Sequence, residues 1–247
     1  MFPFTHIWFS RNVMGYTNNM TVLGSIFPDA FVSKELPYDV THRIGWDMYD
    51  YYFEKGSKLV DFAISASTHT VSPEGLDYYG DNAYEGSDGY CFQKAVSIVE
   101  EVIEACNIPA EFGLWKAHNF IEMAVEFEIL NNNKDLVNLL DEALKDEHAM
   151  HEIESSLEEY YRLESGTLKN YFKRFQHFVY KENISSHILS INYDYHMKVR
   201  HGINIDIDKA SKIIDKAKHI ISDDYISFFA VTEKRVRDMI NDRLESK

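Results

Sequence analysis

In the first half of the sequence, seven acid and imidazole side chains are candidate ligands for divalent metal ions. They are His6, Asp29, His42, His69, Asp77, His118 and Glu122. Neutral imidazole nitrogens and carboxylate oxygens are ligands for zinc, and also for iron and manganese. The set is large enough for more than one ion, so the chemistry to expect is that of a metal-dependent hydrolase.

His118 and Glu122 lie in a segment that contains no Gly or Pro and has helical periodicity. Their spacing of four residues is about one helical turn, so both side chains project from the same face and can bind one ion. Apolar residues at helical spacing predict that this face is turned toward the core: Leu114, Trp115, Ile121, Val125 and Ile129. A buried carboxylate needs a partner. That partner is a metal ion, or alternatively His118 itself or a basic residue elsewhere.

The other candidates lie at the ends of apolar or helical segments. His6 precedes an apolar run, and Asp29 follows Pro28 at the end of another. Proline fixes its own φ and disfavours helix in the residue before it, which predicts a shaped turn at Asp29. An N-cap is the alternative role for this Asp. His42 is predicted to open a helix and His69 to close the next one.

This order of residues resembles the zinc-dependent phospholipase C family, whose relatives include the single-strand-specific zinc nucleases. The resemblance covers roughly residues 1 to 126 and depends on the N-terminal His, the Pro-Asp pair, two further His residues with a downstream Asp, and the final His-x3-Glu. The resemblance implies a phosphoesterase site that holds two or three metal ions, with zinc as the expected metal. The ligands that it implies are His6, Asp29, His42, His69, His118 and Glu122.

Two departures from the family pattern concern the third ion. Secreted members use the amino terminus freed by signal-peptide cleavage as a ligand, whereas this sequence starts with Met1 and has no Lys/Arg-led apolar signal region. The family also places a further His after the acid that follows its third His, and none occurs here between His69 and His118. Asp77 and Asp81 both remain candidates for the acidic ligand in this stretch.

The expected reaction is attack of a metal-activated water on the phosphorus of a phosphoester. Asp29 is the candidate catalytic residue, which would orient the attacking water either as a bridging ligand or as a general base. We expect zinc, with iron or manganese as alternatives, and a phospholipase C-like or small-molecule phosphatase activity. The alternative is a non-enzymatic helical interaction protein, in which the histidines are buried structural groups.

Composition limits the class of partner. The formal net charge is −15 over 247 residues, which argues against nucleic acid because binding its phosphates requires a basic surface. No apolar run is long enough to span a bilayer, so stable membrane insertion is not expected. The two cysteines, Cys91 and Cys106, are predicted to be buried thiols in a reducing compartment, which favours a cytoplasmic location. A small phosphoester substrate fits these limits, and a homo-oligomer is compatible with them.

The periodicity predicts an all-α protein, an irregular bundle of roughly nine or ten helices in one domain covering 1–247. One of these helices is expected to carry a stripe from Phe92 through Val96 and Val99 to Cys106. All five prolines and nine of the eleven glycines lie at or before Gly113. Residues 1–131 are therefore predicted to form the loop-rich half with the metal site, and 132–247 to be mainly helix. His148 and His151 are interpreted as part of a solvated helix face.

Overall fold

The computed structural model describes residues 1–179 and 184–247, and over these residues it is all-α, as the sequence predicts. It contains fourteen α-helices and no β-strand in the described part of the chain. In the first half they are α1 Pro3–Met14, α2 Asn19–Ala30, α3 Tyr38–His42, α4 Asp47–Glu54, α5 Val60–His69, α6 Tyr90–Ala95, α7 Val99–Cys106 and α8 Gly113–Asn132. In the second half they are α9 Asp135–Lys145, α10 Glu147–Tyr161, α11 Tyr171–Phe175, α12 Ser186–His201, α13 Ile207–Ile221 and α14 Tyr225–Glu245.

The number of helices exceeds the predicted nine or ten because short breaks divide apolar patterns that look continuous in the sequence. The stripe expected from Phe92 to Cys106 belongs to α6 and α7, which are separated by a 3-10 turn at Val96–Ile98. A 3-10 helix has about three residues per turn, whereas an α-helix has 3.6, so the side chains after Ala95 no longer face inward at the α-helical spacing. Val96 is accordingly 66% exposed, although the pattern placed it on the buried face.

The chain forms two compact units, each built from separated segments. The first unit contains Met1–Thr5, Tyr79–Lys134 and Phe178–Ala230. The second unit contains His6–Tyr78, Asp135–His177 and Val231–Lys247. Each unit has buried apolar side chains of its own, which can exclude water from polar groups placed among them.

In the first unit, α8 is the central helix and packs against α6, α7 and α13. Ile121, Val125 and Ile129 are buried along α8, as their spacing predicts. Leu114 and Trp115, which were predicted to face the core with them, are instead 38% and 48% exposed. They lie in the first turn of α8, on the side of the helix opposite to its buried residues at that end.

In the second unit, α2 packs closely along α5, and Phe27 and Phe62 bring their rings to 5.4 Å at this contact. Asn18 caps α2 by accepting a hydrogen bond from the Thr21 backbone N–H, and the Thr21 hydroxyl caps the Asn18 backbone in return. This reciprocal cap fixes where α2 begins. No helix in the described ranges has the length and apolar character needed to cross a membrane.

Candidate metal centre

The second unit brings five of the candidate ligands together in what we call the histidine cluster: His6, Asp29, His42, His69 and Asp77. Helices α1, α2, α3 and α5 supply the first four, and Asp77 follows the loop after α5. All are buried except Asp29, whose side chain is 34% exposed. The cluster is therefore closed by protein on most sides and open to solvent at Asp29.

Two of the histidines are held by main-chain oxygens. Nδ1 of His69 lies 2.6 Å from the carbonyl oxygen of Ser25, and Nδ1 of His42 lies 3.2 Å from that of Tyr38. Nδ1 of His42 also lies 2.9 Å from the Thr41 hydroxyl, which can either donate or accept. A carbonyl oxygen only accepts hydrogen bonds, so Nδ1 of His69 must carry the hydrogen. In a neutral imidazole this leaves the lone pair on Nε2. Histidines that bind metals are oriented in the same way by their second ring nitrogen.

The Nε2 atoms of all three histidines face carboxylate oxygens. From Asp77, the distances are 3.2 Å to His69, 3.4 Å to His6 and 3.7 Å to His42. From Asp29, they are 3.5 Å to His42 and 3.9 Å to His69. None of the three Nε2 atoms has a hydrogen bond of good geometry in the described structure. An Nε2 lone pair that faces a carboxylate at these distances is repelled unless a proton or a metal ion lies between them.

A divalent ion fits this donor set. Zinc bonds of about 2.0–2.1 Å to nitrogen and oxygen place two ligands of a tetrahedron about 3.3 Å apart, close to the shorter distances in the cluster. Two groups of three have donor atoms within 4.8 Å of one another: His6 with Asp29 and His69, and His42 with His69 and Asp77. The cluster thus has enough donors for two ions bridged by a carboxylate, with Nε2 of His69 bound to one of them.

The electrostatics also favour a cation. Burial raises the pKa of Asp29, but the imidazoles of His42 and His69 lower it by more, so the carboxyl group is ionised at neutral pH. Burial and the neighbouring His69 hold the pKa of His6 well below its ordinary value, so this imidazole is neutral. Burial lowers the pKa of His69, but Asp77 and Asp29 raise it by more. A proton on His69 and a metal ion are therefore alternative ways to balance the two carboxylates.

Close helix packing positions His69 against its carbonyl partner. Gly24 precedes Ser25 on α2, and a Cβ added at Gly24 would lie only 2.4 Å from the carbonyl oxygen of Phe62 on α5. Only a residue without a side chain allows this approach. Gly24 therefore sets the separation of the two helices that carry the donor and the acceptor of the Ser25–His69 hydrogen bond.

The first unit contains a second group, the His118 cluster, formed by Asp81, His118 and Glu122. Their donor atoms lie within 4.8 Å of one another. His118 and Glu122 project from one face of α8, as predicted, and both are buried. Asp81 lies in a π-helix at Tyr78–Asn82. Gly89 packs against it so closely that an added Cβ would lie 2.3 Å from the Asp81 carbonyl carbon.

Other contacts surround the His118 cluster within the same unit. The Met1 amino nitrogen lies 3.0 Å from Glu122 Oε1. This amino group is a basic partner for the buried carboxylate, which was one of the alternatives to a metal ion. The ring of Phe92 stacks on His118 at 4.3 Å. One turn beyond Glu122, the buried Glu126 accepts hydrogen bonds from the Phe4 and Thr5 backbone N–H groups and from the Thr5 hydroxyl. These bonds fix the start of the chain against α8.

The structure places all seven predicted residues in one cluster or the other, but two local predictions were wrong. Asp29 is in the last turn of α2 rather than in a turn or at an N-cap, because Pro28 is tolerated inside this helix. His42 ends α3 rather than opening a helix, since α3 begins directly after Pro37 and the chain turns at Gly45, whose φ is +58°. Both side chains nevertheless reach the histidine cluster.

The sequence left Asp77 and Asp81 as alternatives, and the structure uses both. Asp77 belongs to the histidine cluster and Asp81 to the His118 cluster. Their different placement follows from the π-helix between them, for which the sequence offers no clear signal. His148 and His151 are exposed on α10, and no metal-type group among the described residues includes either one.

No protein-family model, curated protein or solved structure matches this chain.

Proposed function

We propose that the protein is a metal-dependent hydrolase that cleaves a phosphoester. The observation that carries the proposal is the convergence of three imidazole Nε2 atoms on the carboxylates of Asp29 and Asp77 without hydrogen bonds of good geometry. A polar set of this kind, buried and unsatisfied, is costly unless a cation completes it. The resemblance to the zinc-dependent phospholipase C family supports the same proposal.

The protein residues have separate roles in this proposal. His6, His42 and His69 would hold zinc, and Asp77 would bind it from the buried side. A divalent ion there supplies a nucleophile from water at neutral pH and neutralises charge on the phosphoryl oxygens. Asp29 is at the open edge and is ionised at neutral pH. Because its pKa is lowered, Asp29 is better suited to be a ligand that orients the attacking water than to be a general base.

The charge and cysteines complete the proposal. With 40 acidic and 25 basic side chains, the protein is poorly suited to a polyanionic nucleic acid, so the substrate is a small phosphoester. Cys91 and Cys106 are both buried thiols, which supports a reducing, cytoplasmic setting.

The rival is a non-enzymatic helical protein in which the cluster is structural. The raised pKa of His69 favours this candidate, because a protonated His69 paired with Asp77 would balance the cluster without metal. In that case the protein would hold no stoichiometric metal and would hydrolyse nothing.

Elemental analysis of the purified protein separates the two candidates. We expect zinc, iron or manganese at one or more equivalents, with a large loss in His69→Ala and none in His148→Ala, an exposed histidine outside both clusters. The metal-loaded protein is then assayed with aryl phosphomonoesters, aryl phosphodiesters and a phosphocholine ester. A metal-free wild type, or metal unaffected by His69→Ala, would favour the structural role. Stoichiometric metal without turnover of any of these esters would retain the metal site and reject the hydrolase.

A further inference from the structure

Lys116, in the first turn of α8, is a buried lysine, and the described residues offer it no acidic partner. Lys116 is only 8% exposed. The ammonium nitrogen lies 3.1 Å from Nε2 of His201, at the end of α12, and 3.9 Å from the centre of the Trp115 ring. Both are neutral partners, and within the described ranges no carboxylate forms an ion pair with Lys116.

The absence of an acid here is unusual for this chain. Acidic side chains outnumber basic ones by 40 to 25, and buried lysines in proteins are nearly always paired with a carboxylate. The charged neighbours at this position are cations instead. Partial burial lowers the pKa of His201, and the nearby Lys116 and Arg200 lower it further. The two cations and the imidazole therefore form a locally positive site on an acidic protein.

Exposed apolar side chains lie next to this positive site. Trp115 is 48% exposed and Phe112 is 47% exposed, with their ring centres 6.4 Å apart. The Trp115 ring also meets His201 edge to face at 6.2 Å. A ligand that satisfies both features must carry an anionic group and an apolar group close together.

We propose that Lys116, Arg200 and His201 bind a phosphate group, and that Trp115 and Phe112 contact the apolar part of the same molecule. The ammonium has three donors and the guanidinium has a planar fork of donors, which together match the several acceptor oxygens of a phosphate. This site does not depend on the proposed hydrolase activity. The same chemistry could come from a soluble phosphoester or from a phospholipid headgroup.

The test measures binding to the full-length, metal-loaded protein at fixed ionic strength. Inorganic phosphate and phenyl phosphate are titrated by calorimetry, and phosphatidylcholine vesicles with and without phosphatidic acid are tested by co-sedimentation. We expect Lys116→Met and Arg200→Gln each to weaken binding about 10- to 100-fold, as the loss of a charge-assisted hydrogen bond predicts. Trp115→Ala should weaken phenyl phosphate more than inorganic phosphate. Binding of the soluble probes identifies a soluble ligand, and binding of the phosphatidic acid vesicles alone identifies a headgroup.

Two control variants make the test specific. Lys198→Met removes an exposed cation from the same helix, α12, and should leave binding unchanged. His69→Ala tests the other source of phosphate binding: loss of all phosphate binding in that variant would place the phosphate on the metal of the histidine cluster and overturn the proposal. Binding that is absent in the wild type, or unchanged in both Lys116→Met and Arg200→Gln, would overturn it as well. If Lys116→Met does not fold, the exposed Arg200 alone decides.

Discussion

Replacing Asp77 with Asn is expected to remove most of the thermal stabilisation that zinc gives to the second unit. Asp77 is buried and faces all three imidazoles of the histidine cluster at 3.2–3.7 Å. Zinc at about 1,000 times its Kd stabilises a folded protein by about 4.1 kcal/mol. For a chain of this size, this corresponds to a rise in Tm of about 8–16 °C.

The neutral amide of Asn keeps the size of the side chain but removes the charge that faces the ion. Mutation of a residue that only hydrogen-bonds to a metal ligand lowers metal affinity by up to about 100-fold. Loss of a ligand itself should lower the affinity by at least that factor. At the same zinc concentration, the stabilisation then falls to about 1.4 kcal/mol and the rise in Tm to about 3–6 °C.

The assay is a thermal melt of chelator-treated protein with and without added zinc, followed by far-UV circular dichroism. His148→Ala is the matched control, because His148 is exposed and outside both clusters. It should show the full rise. The reasoning would be refuted by an equal rise in Asp77→Asn and wild type, or by a larger loss in His148→Ala.

Three further predictions concern other parts of the protein. His118→Ala should release only the metal held by the His118 cluster, leaving that of the histidine cluster, as metal equivalents per chain will show; loss of all metal would contradict two separate groups. Gly24→Ala should lower the free energy of unfolding by about 1–3 kcal/mol, measured with denaturant, and weaken zinc binding, because the new Cβ would clash with the Phe62 carbonyl oxygen. Ser25→Ala is the control, since it keeps the main-chain carbonyl that orients His69 and should keep zinc binding. Burial raises the pKa of Glu126 to about 7, so the folded protein keeps a proton that the unfolded chain releases at lower pH. The free energy of unfolding should therefore fall by about 3 kcal/mol as the pH rises from about 4.5 to 7, and Glu126→Gln should lack this fall.

The sequence predicted the helical class and the candidate residues because both depend on local information. His118 and Glu122 share a face through helical spacing alone, and the buried positions of Ile121, Val125 and Ile129 follow from the same period. These relations hold within one helix and need no knowledge of its neighbours.

The division of the candidates between two clusters could not be predicted in this way. Asp77 and Asp81 are four residues apart, and only the π-helix that includes Asp81 explains why they join different groups. The Ser25 carbonyl that orients His69 is on another helix, 44 residues away in the sequence. Every residue has a main-chain carbonyl group, so the sequence does not show which of them contacts a histidine.

The main-chain carbonyl groups that contact the histidines also determine which mutations the site tolerates. His42 and His69 are oriented by the carbonyl oxygens of Tyr38 and Ser25, which every amino acid possesses. Exchange of the Ser25 side chain would leave its carbonyl oxygen in place, whereas exchange of Tyr38 would also remove the ring that stacks on His42 at 3.8 Å. The constraint falls instead on Gly24, where any side chain would push α2 away from α5. A side chain at position 24 would therefore disturb the Ser25–His69 hydrogen bond, although it replaces neither partner.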